Sequence, residues 1–160
     1  MADPLDWSIL DAVRGCLAGI NGAGGYAYDL SGTDQVQITD MPLVSEVLPF
    51  ASVTLRGVGR RPGEALSTLM DTLAVDIGVL ATYTQETPSS RQRAVLALLY
   101  DVRRALEADR CLTVSGTCLA LDTVITREDF LMGDSPEWDA SYIGVSLTVE
   151  VTRQRVPGAA

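Results

Sequence analysis

Leu73-Ala74-Val75-Asp76-Ile77-Gly78-Val79 alternates large apolar with small or polar residues without a break. A period of two is a strand with one buried face, because successive side chains leave a β-strand on opposite sides. The same rhythm returns from Tyr142 to Thr152, where Ile143, Val145, Leu147, Val149 and Val151 alternate with Gly144, Ser146, Thr148 and Glu150. A weaker version runs over Thr117–Thr126, with Leu119, Leu121 and Ile125 on one face and Ala120, Asp122 and Val124 on the other. Each of these strands has one apolar face that needs a cover.

Two segments with helical spacing can supply it. Asp3, Pro4 and Asp6 have the order of a capped helix start, and Ile9, Leu10, Val13, Cys16, Leu17 and Ile20 then form one stripe, stopped at Asn21-Gly22. The second helix is expected from Thr87-Pro88 to Ala108, with Val95, Leu98, Leu99, Val102 and Leu106 inward and Arg93, Asp101 and Arg104 outward. Between the first helix and Leu73, short strands are expected at Tyr26–Leu30 and Gln35–Ile38, paired as a hairpin, and at Ala51–Val58. The fold class that follows is α+β: a mainly antiparallel sheet with two amphipathic helices packed on one face. A single domain over residues 1–160 is expected, with long loops at about 39–50, 57–68 and 127–141.

With both helices on one side, the opposite sheet face is left open. Its expected residues include Thr72, Asp76, Asp122, Thr148 and Glu150, and it carries no arginine before Arg153.

Composition removes much chemistry. The 160-residue chain has no histidine and a net charge of −9, and its 12 basic residues are all arginine. Without His or Lys there is no Ser-His-Asp triad, imidazole metal ligand, Schiff base or Walker-type lysine. Net negative charge disfavours general binding to nucleic acid or anionic lipid. Cys16, Cys111 and Cys118, spaced 95 and 7 apart, match no zinc pattern and read as buried, reduced thiols. The glycine clusters Gly19–Gly25 and Gly57–Gly63 lack the strand–turn–helix context of a phosphate cradle. Asp134, Glu137 and Asp139 match no calcium loop. No catalytic, cofactor or metal residue is therefore assigned. Met1-Ala2-Asp3-Pro4 lacks a signal-peptide order, and no apolar run suits a membrane span, so the chain is expected to be made in the cytoplasm.

Surfaces remain. Met41, Leu43, Val44, Leu48 and Phe50, with Leu131, Met132 and Trp138, place more apolar bulk in loops than a monomer usually shows. Together with Arg60 and Arg61, read as a paired cationic loop, they are the candidate interface. Trp7, off the first helix's stripe, is a further possible contact.

The layout resembles the tail terminator, or tail completion, proteins of long-tailed bacteriophages. The residues that carry the likeness are Ala18-Gly19-Ile20-Asn21-Gly22, Gly25-Tyr26-Ala27-Tyr28, Leu73 to Val79 and the helix Ala94–Ala108. It continues through Asp109-Arg110-Cys111-Leu112 and ends at Val149-Glu150-Val151-Thr152-Arg153. Asp109–Cys118 departs from the family's Gly-richer loop. The resemblance implies a structural virion protein in the tail or neck, without enzymatic activity or cofactor. It implies a hexameric ring of copies capping the tail tube, with a tube protein and a head–neck connector as partners. DNA would pass through its channel, which Asp76, Asp122 and Glu150 would line. Two other readings are open: another neck, head-completion or baseplate subunit, and a small carboxylate-dependent enzyme if those three acids converge.

Overall fold

The computed structural model describes residues 4–40, 48–63, 67–83, 90–130 and 142–158. The strand over Leu73–Val79 extends to Leu69–Thr82, and the late strand to Tyr142–Arg155. In chain order the strands are β1 (Val36–Ile38), β2 (Phe50–Pro62), β3 (Leu69–Thr82), β4 (Thr113–Val114), β5 (Thr117–Cys118), β6 (Asp122–Phe130) and β7 (Tyr142–Arg155); the helices are α1 (Leu5–Ala18) and α2 (Ser90–Glu107).

The main sheet has the order β1-β2-β3-β7-β6, with every pair antiparallel except β1 with β2. The two strands with the cleanest alternation, β3 and β7, pair along their whole length at the centre. Their odd-numbered apolar residues, from Leu73 to Val79 and from Ile143 to Val151, are at most 1% exposed. Full burial of one such side chain contributes roughly 1.5–3 kcal/mol before conformational entropy is subtracted. Above this face α1 lies over β1 and β2, and α2 over β7 and β6. Ile9, Leu10, Val13 and Leu17 point down from α1, and Val95, Leu98, Leu99, Val102 and Leu106 from α2. The α+β architecture with both helices on one face is thus what the alternation and the helical stripes required.

Four local expectations are corrected. Tyr26–Leu30 is not a strand, and β1 joins β2 in parallel instead of closing a hairpin. The Tyr26–Leu30 segment has other partners: Asp101 Oδ2 accepts from the amides of Ala27 and Tyr28 at 2.9 Å each. Asp101 accordingly faces inward, 2% exposed. Arg104 turns back over the same segment, donating to the carbonyls of Gly24 and Gly25 and lying 4.5 Å from the Tyr26 ring centroid.

Second, Gly57–Pro62 is strand, not loop. A bulge between Leu55 and Gly57 lets β2 continue, opposite β3, to Pro62. Third, β6 begins at Asp122 and takes in residues 127–130, while Thr117 and Cys118 belong to a small hairpin with Thr113 and Val114. Ser115 (φ 50°) and Gly116 (φ 80°) are both left-handed, the requirement of the tight turn that matches strand twist. Leu121, expected on the buried face, is exposed, and Ala120, expected opposite it, is buried. Fourth, Pro4 occupies the α1 cap position without a side-chain cap, and the chain leaves α1 at Gly19. The left-handed residue comes later, at Gly25, closing a short 3-10 turn capped by Asn21.

Candidate functional site

The face away from the helices is open around Asp76, Glu150 and Val124, whereas Phe50 and Ser52, on the same face by register, are buried. It carries Thr72, Ala74 and Asp76 from β3, Ser146, Thr148 and Glu150 from β7, and Asp122 and Val124 from β6, by register. Asp76, Asp122 and Glu150 therefore do share the open face. It is not free of arginine. Alternation with Thr54 places Arg56 there, the register after the β2 bulge places Arg61 there, opposite Met70, and a second bulge between Ile125 and Arg127 places Arg127 there. Arg153, expected on this side, points to the helix side and is 7% exposed.

Several charges of this face are closed in pairs. Asp76 accepts from Arg56 Nε at 2.8 Å and from Thr148 Oγ1 at 3.1 Å. Asp122 takes a bidentate grip from Arg110 at 2.8 and 2.7 Å, and Arg127 donates to Asp129 at 2.6 Å. Such exposed pairs contribute about 0–1 kcal/mol each, so their effect is on surface potential more than stability. The three acids stand on three different strands, two of them bound to arginine, and they do not converge on a cleft. Among the described residues no three of His, Cys, Asp and Glu are grouped so as to hold a metal ion.

At one end of the sheet, on the helix side, lies a second cluster. Asp71 is 0% exposed. Its carboxylate accepts from Arg60 Nε at 2.9 Å, Arg155 Nε at 2.5 Å and Arg153 Nη2 at 3.3 Å. Arg153 Nη2 also lies 2.6 Å from Asp6 Oδ1 in α1, as an ion pair without hydrogen-bond alignment. Burial alone would raise the Asp71 pKa; the hydrogen bonds from Arg155 and Arg60 outweigh it and hold the carboxyl below its usual range. Arg60 is thus a structural residue on a strand. Arg61, next to it, is exposed and has no ion-pair partner among the described residues.

Large apolar groups stand exposed on the helix layer. Leu96 and Tyr100, one turn apart on α2, are 57% and 62% exposed, and Phe130 at the end of β6 is 46% exposed. Leu96, Val95, Gln92 and Phe130 line a hollow of about 200 Å³. A second hollow of about 270 Å³ separates α1 from the small hairpin and is lined by Trp7, Ser8, Asp11, Val114 and Leu119.

Of the sequence-derived interface candidates, Met41, Leu43, Val44, Leu131, Met132 and Trp138 lie outside the described residues. Leu48 is half-buried. Phe50, across from Leu80 in β3, is 2% exposed and packed, so it is not a free contact residue. Leu96, Tyr100 and Phe130 were missed, although the sequence carried a signal: Leu96 and Tyr100 are four apart and fall off the inward stripe of α2.

Cys118 is exposed and Cys16 and Cys111 are half-buried, so the expectation of three buried thiols is corrected for Cys118. Burial and then Asp109 raise the Cys16 pKa. The Cys111 thiol is raised by its contact with Cys118, and further by the charges of Asp109 and Asp122.

No protein-family model matches this sequence, and no curated protein does. Among the described residues no helix is long and apolar enough to cross a membrane. The geometry of the described residues offers surfaces for contact.

Proposed function

We propose that this chain is a structural subunit of a phage virion, of the tail-terminator type, without catalytic activity. Copies associate into a closed ring, a hexamer in that family, which caps the tail tube and joins it to the neck connector. The observation that carries this reading is the row of Leu96, Tyr100 and Phe130 beside an apolar hollow. An aromatic and aliphatic patch in that position is what a neighbouring subunit covers, since such residues are enriched at the centres of interfaces.

The open sheet face is the candidate channel wall. A polyanion slides best along a surface that offers it few free cations. Arg56 and Arg127 are each held by an aspartate, and Glu150 has no partner among the described residues. This supports the channel reading in a revised form: arginine neutralised over the middle of the face, with Arg61 at the β2 end exposed and without an ion-pair partner among the described residues.

Light scattering on the purified chain, followed by electron microscopy with tail tubes of the virus that encodes it, tests the reading. A ring of defined mass that binds tube ends and stops their elongation is expected. A chain that stays monomeric and leaves tube growth unchanged would reject it. Labelled copies found at the baseplate, or at the head vertex away from the tube, would assign the chain to another virion subunit.

A further inference from the structure

The hairpin of β4 and β5 brings two of the three cysteines together. Ser115 and Gly116 turn the chain, so that Thr113 pairs with Cys118. The amides of Leu119 and Ala120 both donate to the carbonyl of Cys111, at 3.1 and 3.0 Å. These bonds pin the residues just after Cys118 to Cys111. The hydroxyl of Thr113 lies 3.8 Å from Cys118 Sγ, and the Cys111 and Cys118 thiols are near enough to interact. Cys118 is exposed and Cys111 half-buried. One thiol is open to solvent and the second waits behind it, an arrangement suited to thiol–disulfide exchange.

We propose that Cys111 and Cys118 are a dithiol site that closes to an intrachain disulfide by exchange with a low-molecular-weight disulfide. The Cys118 thiolate attacks one sulfur of the small disulfide. The S–S bond breaks, a mixed disulfide forms on Cys118, and the first small thiolate leaves and takes up the proton Cys118 gave up. The Cys111 thiolate then attacks Cys118 Sγ and displaces the second small thiolate, which takes up the proton lost by Cys111. Two protein thiols are oxidised to one disulfide, and one small disulfide is reduced to two thiols. Closure fixes the hairpin that carries Val114 and leads into Leu119, both walls of the hollow beside Trp7. The site is independent of the ring reading, because it requires only the fold of residues 109–120.

The test uses the full chain, excess oxidised glutathione, alkylation of remaining thiols, and intact-mass and non-reducing peptide measurements. The expected product is lighter by two hydrogens before alkylation, has its Cys111 and Cys118 peptides linked, and retains one alkylatable thiol at Cys16. The Cys111→Ser variant is expected to stop at a glutathione adduct on Cys118. A wild-type chain that keeps a lasting adduct on Cys118, that leaves both thiols free, or that links either of them to Cys16 or to a second chain would overturn the proposal.

Discussion

Asp71 has no water to face and three guanidinium groups within reach. A carboxylate removed from solvent is costly, and here hydrogen bonds from Arg60, Arg153 and Arg155 replace its hydration. Removing it would leave mutually repelling cations, one of them, Arg153, nearly buried. Asp71→Ala is therefore expected to lose about 3 kcal/mol in urea unfolding, at the low end for a broken buried pair because Arg60 stays more than half exposed. Its folded pKa is depressed, so its contribution is complete above about pH 4 and disappears as pH falls through the folded value. Acid titration of stability should show that loss in the native chain and lack it in Asp71→Ala. Arg60→Glu is a poor probe of docking for the same reason: it would put a second carboxylate against Asp71. Arg61→Glu tests a surface role cleanly.

Helix α2 does more than cover the sheet. Through Asp101 it holds the backbone of Ala27 and Tyr28, and through Arg103 it grips Glu128 of β6 with two charge-assisted bonds. The Glu128 carboxyl is held below its ordinary range, first by the Arg103 bond against the opposing effect of burial. Tyr28 returns the favour by donating its hydroxyl to the carbonyl of Ala94 at 3.2 Å. Asp101→Ala would leave two sheltered amides without an acceptor and is expected to cost about 2 kcal/mol or more. Hydrogen exchange should locate the damage, with the Ala27 and Tyr28 amides accelerated well before those of β3 and β7.

The molecule as a unit presents one helix-covered sheet face, one open face of paired charges, and an apolar row on the outside of α2. If neighbouring copies cover that row, charge introduced there should block assembly without touching the core. Leu96→Asp combined with Phe130→Asp is expected to change unfolding free energy by only about 0.5 kcal/mol per site, as for ordinary surface positions. If the native chain assembles into the proposed ring, the same variant should run as a monomer in light scattering under those conditions. An unchanged ring would remove Leu96 and Phe130 from the interface.

The period-two runs at Leu73–Val79 and Ile143–Val151, with the stripes of α1 and α2, were legible because burial on one face demands that periodicity locally. They specify the layers and the side on which the helices sit. The ends of strands were not legible: Gly57–Pro62 looks like loop, and becomes strand only because β3 continues opposite it. The two bulges were equally hidden, and each reverses which later residues face out: the one in β6 brings Arg127 to the open face, and the one in β2 turns Arg60 to the helix side, whereas Arg56 and Arg153 stand where plain alternation with Thr54 and Val151 puts them. The partner of a charged residue was hidden as well. Asp71 meets Arg60, Arg153 and Arg155, and Asp101 meets Ala27, only once distant strands and helices are docked, since a hydrogen bond depends on position in space and the chain pattern records only position along the backbone.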